Sequence, residues 1–338
     1  MKVVLYQDYG KLVMADLPIP QIKEDEVLIQ VKACGICGSE LETFREKSVR
    51  RTPPLVMGHE FSGVVAGIGS KVDKFNTGDR VVSNSVISCS QCIYCRKQQT
   101  HLCESRQVFG MHRPGAFAEY VAVPEKCLLR IPGNISFSEA CLAEPLANGI
   151  HMLHLTKHLP LKRVMIIGAG PIGLLAQIVF QQLGKAEVIV CDINNRRLEV
   201  ALQLGAKSVH KDVNSIDKLM IEEITGGEGF DIVIDAVGLA VTQEKAISIV
   251  RSGGAVVLIG LHENATVFHS YDIILPEKQV LGTYAASQQD IQEALDLMQK
   301  KKIDLTSWIS YCTLDNAIDV FTDLLTPVSQ NIKAVIIP

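Results

Sequence analysis

The chain has 338 residues, 33 basic and 37 acidic side chains, a net charge of −4 and 47% hydrophobic content. So balanced a charge offers no field for a nucleic-acid backbone or an anionic membrane surface, and the length suits two domains better than one core. The amino terminus carries charge in its first turn and an apolar run of only three residues, and no stretch approaches eighteen, so neither a secretory leader nor a membrane span is expected and the protein reads as cytoplasmic.

Residues 27–31 are mostly β-branched or apolar, and 81–86 is valine-rich with polar residues between. Gly, Pro, Asn and Asp punctuate the stretch separating them. Roughly the first 145 residues therefore read as mainly β, and Gly63, Gly67, Gly69 and Gly78 suit the corners of a small closed or partly closed barrel. Ten cysteines would be unusual in a reducing compartment, but four form one run, Cys89-x2-Cys92-x2-Cys95-x7-Cys103. That spacing fits four thiolates around one zinc, in a lobe of about residues 85–105. A closed thiolate set leaves no position for substrate, so this zinc is expected to be structural.

After Leu161 the pattern changes. Residues 164–167, 188–191, 232–234 and 255–259 are short apolar runs separated by helix-length amphipathic segments, as in a parallel βαβ sheet. The first run leads into Gly168-Ala-Gly170-Pro171-Ile172-Gly173, and a buried-helix pattern follows over 174–183. Gly168 permits the tight turn, Gly170 lets backbone approach a pyrophosphate, and Gly173 allows close helix–sheet contact. Asp192, nineteen residues beyond Gly173, ends the second strand, where a carboxylate accepts from both ribose hydroxyls and repels a 2′-phosphate. NAD is therefore expected over NADP, a preference softened by Arg196 and by Arg197, which is placed with Asp192 on the cofactor side. Residues 291–298 and 317–325 have helical periodicity and 334–337 reads as a strand, with no domain assignable from pattern alone.

Upstream lies Gly35-Ile-Cys37-Gly-Ser39-Glu40, and twenty-two residues after Cys37 comes His59 in Gly58-His59-Glu60-Phe-Ser-Gly63. Here the sequence resembles the zinc-dependent medium-chain dehydrogenases, the family of alcohol, sorbitol and threonine dehydrogenases. The pattern GHE-x2-G-x5-G-x2-V is met by Gly58, His59, Glu60, Gly63, Gly69 and Val72, and the likeness takes in GDRV at 78–81, GAFAEY at 115–120, the cysteine lobe and the glycine turn. It spans essentially the whole chain.

The resemblance implies an α/β protein: a GroES-like β-barrel catalytic domain over 1–148 and 285–338, a Rossmann doubly wound parallel sheet over 149–284, and a catalytic cleft between them. It implies two zincs per chain, NAD, and a homodimer or homotetramer joined through the Rossmann sheets. Cys37 and His59 would be fixed ligands of the catalytic zinc, and the third is a carboxylate, either Glu60 or Glu144. Thiolate, imidazole and carboxylate make a mixed set that suits zinc and leaves one position open for Lewis-acid chemistry on an alcohol or carbonyl. Ser39 matches the hydroxyl that accepts the substrate proton, and it also reads as a cap of the following helix. The expected reaction is NAD-dependent oxidation of a secondary alcohol in a polyol, sugar alcohol or sugar-phosphate-like compound.

Several residues depart from the family pattern. Glu40 stands where Asp is usual, Glu42 where many members carry a proton-relaying histidine, and 282–286 lacks the arginine placed nearby in sorbitol dehydrogenases. Sorbitol is thus an unexpected substrate, and the absence of histidine in 40–42 also weighs against threonine. The other readings are threonine-type amino-alcohol oxidation, a zinc-free quinone reductase and a non-catalytic NAD sensor. Arg45, Lys47, Arg50 and Arg51 suggest either a phosphate site or, preferably, a solvated loop. Cys34, Cys127, Cys141, Cys191 and Cys312 read as packing, His151, His154 and His158 as a polar helix side, and Phe109 as either pocket wall or core aromatic.

Overall fold

In the strand Glu26–Gly35, Val27, Ile29, Val31 and Ala33 are buried in alternation, the period of a strand with one face in a core. This strand is the spine of the first half. It pairs antiparallel with Glu60–Ile68 along its length, with Tyr120–Pro124 over its beginning and with Lys333–Ile337 at its end. The sheet continues through Arg80–Ser83 and Leu128–Arg130 on one side and Ile309–Thr313 on the other. Register sets Gly35 opposite Glu60 on one neighbour and Val335 on the other, so the strand left unassigned at the carboxy terminus belongs to this sheet.

This computed structural model describes residues 1–300, 303, 305–326 and 329–338. The segment 285–338 assigned to the first domain from sequence therefore includes Lys301, Lys302, Asp304, Pro327 and Val328, which lie outside the described residues. The chain divides into two compact units, Met1–Ala147 with Ala286–Pro338, and Asn148–Ala285.

In the second unit six parallel strands stand in the order Ser208–His210, Glu187–Cys191, Arg163–Ile167, Phe230–Asp235, Val250–Leu258 and Gln279–Gly282. That is the doubly wound 3-2-1-4-5-6 arrangement, with its switch point beside the strand that leads into the glycine turn. Helices Pro171–Gln182, Asn195–Gln203 and Ala240–Ile249 connect successive strands. Strand Arg163–Ile167 buries Val164 through Ile167 with no polar alternation, as expected for a strand covered on both faces.

The valine-rich run 81–86 proves to be two pieces. Arg80–Ser83 stays in the main sheet, while Val86–Ile87 pairs with Gln107–Val108. Asn84 makes the break: its Oδ1 accepts the Val86 N–H at 2.9 Å, taking a donor that a continuous ladder would use. The short ribbon closes the base of the four-cysteine loop, and the break leaves Ser85 buried at its root.

Candidate active site

Cys37 is the N-cap of helix Gly38–Glu46, with φ −89° and ψ 145°. This corrects the reading of Ser39 as cap, since Ser39 lies one step inside the helix. Glu40, at the third helical position, accepts the Cys37 N–H through Oε2 at 3.0 Å. Its other oxygen accepts the Gly58 N–H at 2.8 Å and lies 3.0 Å from His59 Nδ1. One buried carboxylate thus fastens the thiol loop to the imidazole loop, and the side chain one methylene longer than aspartate does not lose that contact. A carboxylate only accepts, so the proton between them sits on Nδ1 and Nε2 is left to face a metal.

Burial alone would raise the Glu40 pKa, but His59, Arg51 and the Cys37 N–H hold it below the usual carboxylate range. Burial likewise disfavours the His59 imidazolium, yet Glu40 and Cys37 hold its pKa well above the ordinary value. A metal at Nε2 must therefore displace a firmly held proton.

Ligand atoms of Cys37, His59 and Glu60 all lie within 4.8 Å of one another. Thiolate, imidazole and carboxylate converge here from three loops and strand ends, a donor set that fits zinc. The turn before His59 needs Gly58, whose φ is +101° and whose Cβ would sit 2.7 Å from Phe117.

Glu60 opens its strand and forms an ion pair with Lys333, both side chains almost wholly buried at 2% and 1% exposure. Lys333 Nζ also donates to Ile36 O at 2.9 Å. Burial pulls the Lys333 pKa down, but the Glu60 carboxylate and the Cys37 thiolate raise it further, so the ammonium persists. Between the two runs Gly35, where any Cβ would strike Glu60 Oε2 and stand 3.1 Å from Lys333 Cε. Lys333 was not singled out in the sequence. Its only signal is a charged residue inside the otherwise apolar Lys333–Ile337 strand.

Glu144 lies in the first turn of helix Ala143–Thr156 and accepts the Ser85 hydroxyl at 2.6 Å. Burial pushes its pKa up, with the nearby Glu60 acting the same way and His59 against it. The cluster of mutually close ligand atoms contains Glu60 and not Glu144. Ser39 Oγ lies 3.4 Å from Cys37 Sγ and accepts from Arg51 Nη2 at 3.1 Å. Of the four basic residues read as a solvated loop, Arg45, Lys47 and Arg50 are exposed, but Arg51 is not: it is 1% exposed and bonded inward. Periodicity gave no hint of this, because the loop 47–54 has none.

In the lobe, the sulfurs of Cys89, Cys92, Cys95 and Cys103 also lie within 4.8 Å of one another. Backbone groups of Gln91 and Cys92 push the Cys89 thiol down to about 6, and the Cys95 backbone lowers Cys92. The buried Cys103 is raised to about 11, chiefly by burial. Cys89 is thus poised as a thiolate beside a buried thiol that metal must deprotonate, in a set that fits a closed zinc site.

In the second unit Gly168 has φ +98°, and helix Pro171–Gln182 starts from Gly170 as N-cap with Pro171 at its first position and Ile172 next. A Cβ on Gly173 would collide with Gly168 O, whereas a Cβ on Gly170 would meet no atom within 4 Å. The first glycine closes helix onto turn and the second leaves open approach, as a pyrophosphate at a helix N-terminus requires. Asp192 follows strand Glu187–Cys191 and braces the turn: Oδ2 accepts the Ala169 N–H at 2.7 Å, and Oδ1 the Asn194 N–H at 2.8 Å. Arg197 Nη1 approaches Asp192 Oδ2 at 3.7 Å.

Phe109 is fully buried and packs edge-on to Phe61 at 5.5 Å, as a core aromatic. His158 lies beyond the helix that carries His151 and His154 and pairs with Gln279 at 3.0 Å, so the three do not share one helix face. Cys34, Cys127, Cys141 and Cys191 are buried and Cys312 is half-buried.

Two family models match parts of the chain. The family described as "Alcohol dehydrogenase GroES-like domain" matches residues 23–133, and "Zinc-binding dehydrogenase" matches 171–300. D-arabitol-phosphate dehydrogenase of Enterococcus avium is 34% identical over 89% of this chain and 87% of its own. L-threonine 3-dehydrogenase of Alteromonas mediterranea is 32% identical over 88% of each. A crystal structure from Sinorhizobium meliloti 1021, solved with NADP bound, superimposes with a TM-score of 0.89 at 31% identity, covering 100% of this chain and 99% of that one.

Proposed function

We propose, since this chain belongs to the zinc-type medium-chain alcohol dehydrogenase family, that it oxidises a secondary alcohol of a polyol or polyol phosphate with NAD. The observation that carries this reading is the convergence of Cys37, His59 and Glu60, with His59 Nδ1 engaged by Glu40. Bound there, zinc supplies Lewis acidity toward the substrate oxygen while the dinucleotide takes the hydride. Cys37 and His59 would hold the metal with Glu60 as the third ligand, its Oε2 also tied to Lys333. Glu144, fastened by Ser85, stands beside that set as an acid group able to orient water. Ser39 takes the substrate's hydroxyl proton. In the second unit Gly168, Gly170 and Gly173 cradle the pyrophosphate with Pro171 and Ile172 opening the helix, and Asp192 reads the ribose with Arg197 at its edge.

Polyol phosphate is favoured within the class because a D-arabitol-phosphate dehydrogenase is among the most similar relatives. The similarity to threonine dehydrogenases keeps an amino alcohol as second reading. A pure sensor of NAD would have no use for an open thiolate–imidazole–carboxylate site. The deciding experiment is a screen of polyols, their phosphates and L-threonine with NAD and with NADP, reading reduced nicotinamide. We expect faster turnover with NAD than NADP on a polyol or its phosphate, abolished by chelation and restored by zinc. Reduction with no secondary alcohol would leave only a binding protein, and preference for NADP would remove the role given to Asp192.

A cytoplasmic homo-oligomer is the expected state. No helix among the described residues is long and apolar enough to cross a membrane. Strand Gln279–Gly282 ends the parallel sheet with a neighbour on one side only, and Tyr271, Ile274 and Leu275 close before it in sequence are 73%, 64% and 77% exposed. An unpaired edge with exposed apolar residues is what a second sheet covers. Light scattering should give at least twice the chain mass, and a monomer at micromolar concentration would refute this.

A further inference from the structure

Arg51 directs its hydrogen bonds at protein oxygens: Nε to Gly110 O at 2.8 Å, Nη1 to Ser39 O at 2.9 Å and Thr43 Oγ1 at 2.8 Å, and Nη2 to Ser39 Oγ at 3.1 Å. None of these acceptors is a carboxylate. Burying a guanidinium without an ion-pair partner in contact is costly, and an apolar side chain of similar length would fill the same space without that cost. Thr43 Oγ1 already donates to Ser39 O at 2.8 Å, so the helix turn is held without Arg51. What Arg51 adds, besides its tie to Gly110 O, is the contact with the Ser39 hydroxyl.

A guanidinium donates and never accepts. Ser39 Oγ must therefore accept on the side of Arg51, and its single hydrogen is turned away from it. The hydroxyl donates that hydrogen to Cys37 Sγ at 3.4 Å, so it is aimed toward the cluster of Cys37, His59 and Glu60.

We propose that Arg51 is a positioning residue for the reaction, locking Ser39 in the orientation that turns its hydrogen toward Cys37 Sγ and leaves its second lone pair to the substrate. This rests on the reading of Ser39 as proton acceptor. During oxidation the substrate O–H proton moves to Ser39 Oγ, the hydrogen that Ser39 carried leaves to water, and the hydride from the same carbon goes to the nicotinamide. Arg51 gives and takes no proton. Its fixed positive charge favours the passage through the point at which the serine oxygen is poorest in hydrogen.

The test is a double-mutant cycle of Ser39→Ala and Arg51→Lys, with zinc content measured for each variant. Lysine keeps the charge but lacks the planar fork that holds Gly110 O, Ser39 O and Ser39 Oγ together. Ser39→Ala should lower kcat about 100-fold, as loss of a proton-transfer group does. Arg51→Lys should lower kcat about tenfold with KM for NAD within about twofold, as misorientation does. It should also weaken the binding of an inert fluorinated alcohol to the enzyme–NADH complex, read by NADH fluorescence. Both variants should retain two zincs. In the double variant kcat and analogue binding should fall no further than in Ser39→Ala alone, because Arg51 then has no hydroxyl to orient. Losses that multiply would show a general structural role and overturn the proposal, as would a wild-type kcat in Arg51→Lys. Full activity in Ser39→Ala would instead remove the reading of Ser39, and the role of Arg51 with it.

Discussion

Replacing Lys333 by methionine should destabilise the metal-free protein by about 3–5 kcal/mol, the cost of leaving a buried charge without its partner. Methionine fills nearly the same volume, so the loss falls on Glu60, which is 1% exposed. Its Oε2 would lose the ammonium, and Gly35 beside it offers no side-chain group in exchange. Zinc should narrow the deficit, because it binds the folded site and neutralises the same carboxylate. The midpoint of urea unfolding, with and without zinc, reads both effects. Pairing Lys333→Met with Glu60→Gln should recover most of the stability without zinc, since a neutral amide costs less to bury than an orphaned carboxylate. Equal midpoints for wild type and Lys333→Met in the metal-free form would show that the ion pair contributes nothing.

The pH dependence has a definite sign. A folded pKa raised above the free amine's 10.5 gives stability that is fully present below 10.5 and lost as pH climbs through the raised value. The contribution of Lys333 is therefore constant across the neutral range. Glu40 behaves oppositely: its folded pKa lies below 4.5, so its contribution is present above 4.5 and fades on acidification through the lowered value.

What could be read without coordinates was whatever chemistry is written locally. Cys89, Cys92, Cys95 and Cys103 lie within one loop, and Gly168, Gly170 and Gly173 within one turn, so spacing alone carries their geometry. Cys37 and His59 are farther apart, yet each sits in a recognisable motif. Lys333 and Arg51 escape because their meaning is tertiary: Lys333 meets Glu60 across 273 residues, and Arg51 spans 59 to reach Gly110. A basic residue in a loop rich in basic residues has no local mark that separates an inward guanidinium from a solvated one. The third-ligand ambiguity has the same origin. Glu60 and Glu144 are both glutamates in plausible motifs, and only the register of Gly35 with Glu60, and the break between strands that carries Ser85 to Glu144, give them different surroundings.

Cys103→Ser should reduce the zinc content from two per chain to one and release the lobe while sparing the metal at Cys37. Serine replaces a thiolate by a hard, poorly ionised hydroxyl, and a structural zinc site that loses one of four ligands loses most of a binding free energy of about 10–16 kcal/mol. Cys103 is the fully buried member, and its sulfur accepts the Cys89 N–H at 3.3 Å, so its loss also unties the start of the loop. Between Ile87 and Gln107 regular structure amounts to helix Ile93–Arg96 and the single turn Thr100–Leu102. Neither is long enough to persist without the metal. Trypsin should then cut at Arg96 or Lys97, and the remaining lobe thiols should react freely with a disulfide reagent. The disturbance should reach the other site through Ser85, which lies one residue before the ribbon closing the lobe and donates to Glu144. We therefore expect kcat to fall by about tenfold, the low end of the loss from a disturbed outer-shell partner. Two zincs per chain and unchanged protease resistance in Cys103→Ser would show that the four sulfurs do not form the closed site their spacing implies.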